Sequence, residues 1–393
     1  MNILFVNNIP FNPKFGGIER VTDVLAKQLI TQYGHNIYYL SFDNNCDTDY
    51  LYPAKLFALP ASSNLFERRQ YLSNLIEQYE IDIIVNQRGQ FDYVCDVLNS
   101  QEAKIVNVIH SQPTAWVKMK VLSLYNYTPQ TLYQKIRFFL KILLFPIVYY
   151  YIKNKESKYY ASHYLQILNN YDALVLLSEK YKEELSKLIR SDLSMHTIVG
   201  IPNPNTFKEV DVDWKQKEKV ILYVGRLDNI EKSPLRIIKI WKRLFKRFYD
   251  WKLILVGDGE CLSAMLDFVR QNRIERVYFE GAQTNLEQYY QKASFICLTS
   301  NYEGWGMALT EGMQYGCVPV TFNNYGAASD IIEDGVSGCL IDPLNLHQYK
   351  CRLSKLMKDD NLRKKMGEEA IRKVRDFDSN IVASKWNDLF KKI

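Results

Sequence analysis

The sequence predicts an α/β protein built from two doubly wound parallel sheets, and three observations carry this prediction. Short runs rich in Ile and Val alternate with amphipathic segments, as in parallel sheets whose strands are joined by helices. This alternation is interrupted after residue 110 and restarts at residue 219. The chain has 393 residues, more than one hydrophobic core usually supports. We therefore expect two domains of similar architecture.

The first domain is predicted over residues 1–200. Its strands are expected at 2–8, 36–42, 82–87, 104–110 and 173–178, with helices near 18–33 and 66–79 and a further helix rich in Lys and Glu after residue 178. The N-terminus MNILFVNNIP has the pattern of a first strand and not of a signal peptide.

The second domain is predicted over residues 201–375. It follows IPNPNTF (201–207), whose Pro and Asn residues indicate a linker. Strands are expected at 219–227, 252–260, 277–282, 294–300, 317–323 and 338–342, with helices at 234–248, 261–272, 285–292 and from about 310. A last helix, about 376–393, is expected to return to the first domain.

Composition limits the classes of partner. Apolar residues make up 47% and charged residues 24%, as in a globular protein. The net charge of +6 comes from 50 basic and 44 acidic residues, too mild an excess for a nucleic-acid-binding protein. The seven cysteines form no CxxC pair, so we expect reduced thiols, no zinc site and a cytoplasmic protein. No apolar run reaches the ~18 residues of a spanning helix.

Unusual residues cluster where the predicted strands end, which is where ligands bind in such folds. Gly16 and Gly17 open a helix after the first strand, where backbone N–H groups can receive a phosphate, although a plain turn is an equally good interpretation. His110 lies just past a predicted strand end, in NVIHSQP, and is either a functional or an ordinary structural histidine.

Two cations follow the first strand of the second domain. Arg226 and Lys232 lie in VGRLDNIEKSP, beside a predicted helix start at Ser233 and Pro234. A guanidinium and an ammonium at a helix N-terminus suit a diphosphate. The alternative is two solvated surface charges.

Two glutamates, Glu303 and Glu311, flank a Gly-rich turn in NYEGWGMALTEGMQYGCVPV. Gly304 and Gly306 make a continuous helix between them unfavourable. The turn would expose the backbone N–H groups of Gly306, Met307 and Ala308 at a helix N-terminus, forming an anion site between two acceptors. The alternative is a solvated turn.

Together these pieces resemble the retaining glycosyltransferases of family 4, which have the GT-B fold. The resemblance runs from about residue 3 to 345 through GGIER, VIHSQ, VGRLD, VGDGE, FEGA, the E-x7-E pattern and GAASDIIEDGVSGCLID. Their order and spacing carry the resemblance. The chain departs from the family where Ser233 follows Lys232, a position that is often glycine, and where IPNPNTF replaces Pro-Asn-Gly.

The resemblance implies a role for each candidate residue. It assigns the donor sugar to Glu303 and His110, and the diphosphate to Arg226 and Lys232. It assigns the remaining donor contacts as follows: ribose to Glu311, phosphates to Gly16 and Gly17, and the base to Gly281, Ala282 and Gln283.

The resemblance also implies the reaction and its substrates. A hexose-type sugar would pass from a nucleotide-diphosphate sugar, UDP favoured over GDP, to a glycan or lipid-linked acceptor, with retention and without a metal or another cofactor. The expected setting is bacterial surface polysaccharide or lipopolysaccharide biosynthesis. Alternatives are a catalytically silent GT-B partner protein, or a GT-B epimerase or phosphorylase.

Residues 137–160, RFFLKILLFPIVYYYIKNKESKYY, bear on the acceptor. Their aromatic rings and lysines suit a membrane interface, but the apolar part is too short and too broken to span a bilayer. The alternative is that the rings pack inside the first domain. Membrane contact would place the protein peripherally on the inner face of the cell membrane.

Overall fold

The computed structural model describes residues 1–42, 50–59, 64–88, 103–123 and 144–393, together with residues 131, 133, 136 and 139. Two fully parallel sheets with helices on their faces form the described chain, which confirms the predicted α/β class. The predicted strand-and-helix alternation is seen in both halves.

The first sheet contains seven strands in the order β3-β2-β1-β4-β5-β6-β7. Their bounds are Asn2–Asn7 (β1), Asn36–Ser41 (β2), Lys55–Ala58 (β3), Ile83–Asn86 (β4), Lys104–Ile109 (β5), Ala173–Leu176 (β6) and Ile198–Gly200 (β7). The associated helices are Gly17–Tyr33 (α1), Leu65–Gln78 (α2), Ala115–Ser123 (α3), Phe145–Asn170 (α4) and Lys180–Ile189 (α5). Strands β3 and β7 lie at the two edges and were not predicted, because each is too short to show a periodic pattern.

The second sheet contains six strands in the order β10-β9-β8-β11-β12-β13. Their bounds are Val220–Val224 (β8), Lys252–Val256 (β9), Val277–Phe279 (β10), Phe295–Cys297 (β11), Val318–Phe322 (β12) and Cys339–Ile341 (β13). The helices that follow are Leu235–Trp241 (α6), Leu262–Gln271 (α7), Glu287–Lys292 (α8), Met307–Gln314 (α9), Ala328–Ile331 (α10), Leu346–Lys358 (α11), Asp360–Val374 (α12) and Ser379–Lys392 (α13).

Burial on both faces explains why the strands are continuous apolar runs. In β1, Ile3, Leu4, Phe5 and Val6 are fully buried, as expected for a parallel sheet covered by helices on both sides. The C-terminal helix α13 returns to this sheet, since Trp386 and Phe390 share a core cluster with Phe5.

Two predicted segments differ in detail from the structure. The linker 201–207 contains no helix or strand, but Ile201, Asn203 and Asn205 are buried, so it runs through the interior of the protein.

In the segment 137–160, residues 137, 138, 140, 141, 142 and 143 lie outside the described residues. No described residue from 147 to 159 is buried, so the core-packing alternative is wrong for this part. Within the described chain, no helix is both long and apolar enough to cross a bilayer.

Candidate functional site

The strand order places the candidate residues at the points where each sheet reverses direction. In the first sheet the order reverses between β1 and β4, and in the second between β8 and β11. Crevices at such points, outside the carboxyl ends of the strands, bind ligands in open α/β sheets. Arg226 follows β8 and Glu303 follows β11, so these residues flank the reversal in the second sheet.

Glu303 and Lys232 form a direct ion pair. The Lys232 Nζ donates to Glu303 Oε1 at 2.9 Å and to Oε2 at 2.7 Å, and Ser300 Oγ donates to Oε1 at 2.6 Å. Lys232 Nζ also lies 2.7 Å from Glu231 Oε1. Although burial alone would lower the pKa of Lys232, the carboxylates of Glu303 and Glu231 hold that pKa above its usual value. The ammonium is therefore a permanent positive charge in the site.

Arg226 is connected to this pair through Glu231. Its Nη2 donates to Glu231 Oε2, and its side chain is 67% exposed, compared with 17% for Lys232. Burial favours protonation of Glu231, but Lys232 and Arg226 outweigh it and lower the pKa of that carboxyl. The structure thus places both predicted cations on one carboxylate, with Lys232 inside and Arg226 towards solvent.

Glu311 lies in α9, is 2% exposed, and accepts from three parts of the chain. Tyr290 OH donates to Oε2 at 2.8 Å, and Thr206 Oγ1 donates to Oε1 at 3.0 Å. Arg20, from the first turns of α1, brings its Nη2 within 3.2 Å of Oε1. Burying a carboxylate is costly unless it is hydrogen-bonded or paired with a cation, and Glu311 has both kinds of partner. Glu311 is not in direct contact with Glu303, so the two glutamates serve separate parts of the site.

The N-termini of helices α1 and α9 approach each other across the two sheets. Gly16 is the N-cap of α1, and a Cβ placed on Gly17 would lie 3.1 Å from Met307 Sδ at the start of α9. Gly306 is the N-cap of α9 with φ +91°, which favours glycine. The first turns of both helices carry backbone N–H groups without intrahelical acceptors, a setting that attracts anions. Gly16, Gly17, Gly306, Met307 and Ala308 are thus brought together.

His110 lies where the two halves of the chain touch. A Cβ on Gly304 would lie 1.9 Å from the carbonyl oxygen of His110, so glycine is needed for this close approach. Nε2 of His110 is 2.5 Å from Gln87 Oε1, and among the described residues Nδ1 has no hydrogen-bond partner. Burial lowers the pKa of His110 to about 4. The ring is therefore neutral at physiological pH, with Nε2 as the donor to Gln87 and Nδ1 available as an acceptor.

Gly281, Ala282 and Gln283 lie on the loop after β10, at the edge of the second sheet. The carbonyl of Gly281 accepts from the Gly257 N–H at 2.7 Å, while Ala282 and Gln283 are exposed. Gln283 Nε2 donates to the carbonyl of Glu280 within the same loop, and the role of this loop in binding a base stays a prediction.

Sequence reasoning missed several side chains that complete the site. Arg20 and Glu231 lie within the motifs GGIER and VGRLDNIEKSP, and Thr206 lies within the linker. Their places in these stretches could have suggested them as site residues. Tyr290 and Tyr181 gave no local signal. Tyr181 OH donates to the carbonyls of Glu303 and Gly304 at 3.1 and 2.9 Å, and thereby holds the turn in place from the first half of the chain.

Comparisons with known proteins bear on the family and the fold of the chain. Residues 205–373 match the family model for glycosyl transferases group 1. The whole chain superposes on an Anabaena protein, HepE, solved in complex with UDP and glucose, with a TM-score of 0.74, 14% identity and 100% of both chains covered. The chain therefore has the GT-B fold, and residues 205–373 are similar to the glycosyl transferases group 1. The resemblance predicted from the motifs is confirmed.

Two relatives from bacteria match part of the chain. The amylovoran biosynthesis glycosyltransferase AmsD of Erwinia amylovora is 27% identical over 223 residues, which is 56% of this chain and 62% of that protein. A Campylobacter jejuni alpha-1,4-N-acetyl-D-galactosaminyltransferase, named for a PP-undecaprenol-linked glycan, is 28% identical over 49% of this chain and 54% of its own length. The chain thus spans between half and two thirds of the length of these two relatives.

Proposed function

We propose that the protein is a retaining glycosyltransferase that moves a hexose-type sugar from a nucleotide-diphosphate sugar to a glycan or lipid-linked acceptor. UDP is the favoured nucleotide, with GDP as the alternative. Support comes from the family match, from relatives named as glycosyltransferases, and from a structural neighbour solved with UDP and glucose. The proposed setting is bacterial surface polysaccharide or lipopolysaccharide biosynthesis, on the cytoplasmic side of the membrane.

One observation carries the proposal: Lys232 is bonded to Glu303 at the reversal point of the second sheet, beside the N-terminus of α9. In the proposal, Glu303 accepts hydrogen bonds from hydroxyls of the donor sugar, while Lys232 faces the diphosphate. His110 Nδ1 offers a further acceptor to the sugar, because its ring is neutral and Nε2 is engaged with Gln87.

Departure of a nucleoside diphosphate builds negative charge, and the site holds positive charge in advance. Lys232 is kept protonated. The exposed guanidinium of Arg226 pairs with Glu231, which also contacts Lys232. The helix N-termini add partial positive charge. Fixed donors of this kind stabilise a developing anion without reorganisation. In this proposal the cations and helix dipoles do the work of a metal, and the nucleotide sugar is a co-substrate, with no other cofactor.

The proposed chemistry replaces the bond between the anomeric carbon and the diphosphate by a bond to an acceptor oxygen on the same face of the sugar, and the proton of the acceptor hydroxyl passes to the departing diphosphate. The transition state resembles an oxocarbenium ion, and no covalent glycosyl-enzyme forms. Trapping a glycosyl-enzyme by mass spectrometry would contradict this mechanism.

Glu311 is proposed to bind the ribose hydroxyls of the nucleotide. Its oxygens already accept from Tyr290, Thr206 and Arg20, so a ribose diol must replace at least one of these donors. Arg20 belongs to the opposite half of the chain. Replacement of its contact would therefore couple nucleotide binding to the relative position of the two halves.

The test is thermal unfolding of the full chain with UDP, GDP and ADP, followed by mass-detected hydrolysis of the matching nucleotide sugars. We expect one nucleotide, UDP first, to raise the midpoint, since a ligand that binds the folded state stabilises it. A folded sample with no shift for any nucleotide would overturn the enzyme proposal. A shift without turnover of any nucleotide sugar would favour the silent partner protein.

A further inference from the structure

The N-terminal half of α4 is apolar, aromatic and exposed. Ile147, Tyr150 and Tyr151 are 69%, 68% and 66% exposed. Further large apolar side chains that are exposed in the preceding part of the chain are Tyr133, Ile136, Phe139 and Leu144. Scattered exposed apolar residues are ordinary, but several large ones on one stretch of helix indicate an interaction surface.

The exposure is not the result of a loosely attached helix. The C-terminal half of α4 is packed in the core, where Tyr164, Ile167 and Leu168 are buried, and Tyr164 OH donates to the carbonyl of Pro113 at 3.0 Å. One half of the helix is anchored in the core, whereas the described side chains from 147 to 159 are half-buried or exposed.

Cations continue the apolar stripe along the helix. Residues three and four apart share a helix face, so Ile147, Tyr151, Lys155 and Lys158 lie in one row. Lys153 holds its Nζ 5.6 Å from the ring centroid of Tyr149. From residue 147 to 159 there are three lysines against one acidic residue, Glu156. Lysine stems can cover apolar surface while their ammonium groups reach outwards.

Tyrosine rings next to lysines match the chemistry of a bilayer interface. The rings suit the headgroup level, and the ammonium groups are attracted to anionic lipids. An apolar protein partner would leave the lysines without counter-charges, so charge complementarity favours a lipid surface that is itself negative.

The exposed surface is also close to the candidate site. Helix α4 packs on α3, with the rings of Trp116 and Tyr160 stacked at 6.3 Å between centroids. Helix α3 follows the loop of His110, and its Lys118 Nζ donates to the carbonyl of Asn324 in the second half of the chain at 3.2 Å. A bilayer touching α4 would therefore lie on the side of the molecule where α3 borders the cleft.

We propose that the α4 surface, formed by Ile147, Tyr150, Tyr151, Lys155 and Lys158, binds the surface of an anionic lipid bilayer. The binding does not depend on the proposed activity. The consequence that the acceptor is anchored in the same bilayer does rest on the proposed function.

The experiment is sedimentation of the full chain with phosphatidylcholine vesicles that contain or lack phosphatidylglycerol, at low and high salt. We expect binding to the phosphatidylglycerol vesicles and release by salt, because surface charges are screened. The double variant Ile147→Asp/Tyr151→Asp should weaken binding about tenfold or more, since it puts charge where apolar groups enter the interface. Lys155→Gln/Lys158→Gln should weaken it by roughly fivefold per lysine at low salt.

Tyr249→Asp is the matched control, because Tyr249 is 79% exposed in the second half of the chain. This variant should bind vesicles like the wild type. The proposal would be overturned if the wild-type protein did not bind phosphatidylglycerol vesicles. It would also be overturned if the Ile147→Asp/Tyr151→Asp variant bound them as the wild type does. Light scattering that shows a wild-type dimer and a monomeric variant would overturn it too, since a second copy would then occupy the surface.

The nucleotide experiment keeps the two proposals separate. Stabilisation by UDP should be equal in the wild type, the α4 variants and Tyr249→Asp, which also shows that all of them are folded. Vesicle binding without any nucleotide shift would remove the glycosyltransferase proposal and leave the membrane surface intact.

Discussion

At the scale of residues, Glu303 and Glu311 differ in their partners, although both are buried. Glu303 is paired with a lysine ammonium and a serine hydroxyl, whereas Glu311 is held by Tyr290, Thr206 and Arg20. Glu303 thus lies beside Lys232, which is proposed to face the diphosphate, whereas Glu311 lies within helix α9 among partners from three parts of the chain. Substitutions of the two glutamates should therefore have different effects on nucleotide affinity and on turnover.

Glu311→Ala should weaken UDP binding by roughly 10- to 100-fold, the effect of losing hydrogen bonds to a charged acceptor. Glu303→Gln should leave UDP affinity nearly unchanged and mainly lower turnover, because the amide keeps the shape but removes the charge opposite Lys232. Calorimetric measurement of UDP affinity, together with initial rates with a nucleotide sugar, distinguishes the effects of the two variants. Glu183→Ala, at an exposed position, is the control. Wild-type behaviour of both site variants would contradict the assignments.

The lowered pKa of His110 predicts that the free energy of unfolding depends on pH. Its pKa is lowered from 6.5 to about 4 by burial, so between these values the unfolded chain binds the proton and the folded chain does not. Stability must then fall as pH falls through this window. From pH 6.5 to 4.5, the wild type should lose about 2 kcal/mol more than His110→Gln.

Denaturant unfolding at several pH values measures this difference. His347→Gln, which alters an exposed histidine, should follow the wild type. Parallel curves for the wild type and His110→Gln would show that His110 does not titrate in the way that its burial requires.

At the scale of elements, the loop between β8 and α6 explains one departure from the family. Ser233 has φ +45°, a left-handed conformation that a side chain disfavours and glycine adopts easily. Its hydroxyl is engaged, donating to the carbonyl of Asn229 at 2.7 Å and accepting from Asn301 Nδ2 at 2.9 Å. The loop thus has a backbone conformation that glycine favours, and the hydrogen bonds of the Ser233 hydroxyl stabilise this conformation.

Ser233→Ala and Ser233→Gly both remove the hydroxyl, but the alanine variant alone keeps a Cβ in the left-handed conformation. The glycine variant should therefore be the more stable of the two by about 1 kcal/mol. Urea unfolding of both variants tests this. Equal stabilities would show that the loop relaxes out of the left-handed conformation when the hydroxyl is lost.

At the scale of the whole molecule, the two sheets are held together by contacts at the turn around Gly304. Tyr181 bonds the carbonyls of this turn, Arg20 reaches Glu311, and Lys180 Nζ pairs with Asp330 Oδ1 at 2.7 Å. The largest core cluster also continues from the first half of the chain, with Tyr164 and Tyr181, into the second sheet. The described structure is thus a closed arrangement around the candidate site.

Gly304→Ala should open this arrangement, because the new Cβ would collide with the backbone of His110 at 1.9 Å. We expect a larger radius of gyration in small-angle scattering and lower turnover. Gly335→Ala is the control: Gly335 has φ +79° and no atom within 4 Å of an added Cβ, so this variant should lose stability without changing the scattering. A wild-type scattering profile for Gly304→Ala would refute the role of this close approach.

The sequence by itself determined the features that depend on neighbouring residues. The strand and helix alternation and the position of His110, Arg226 and Glu303 after strands could be read from local patterns, and the helices that start at Gly17 and Met307 were predicted to start at about residues 18 and 310. Short edge strands such as β3 could not be read in this way, because four residues carry no clear period.

Only the tertiary structure decided which side chains meet. Arg20 and Glu311 lie far apart in the chain, and their contact exists because two separately folded sheets face each other. The same holds for the exposure of the first half of α4, where the sequence allowed both a buried and a solvated interpretation. Local periodicity shows that a residue is apolar or charged, but its partner is set by the orientation of the two domains, which no local pattern encodes.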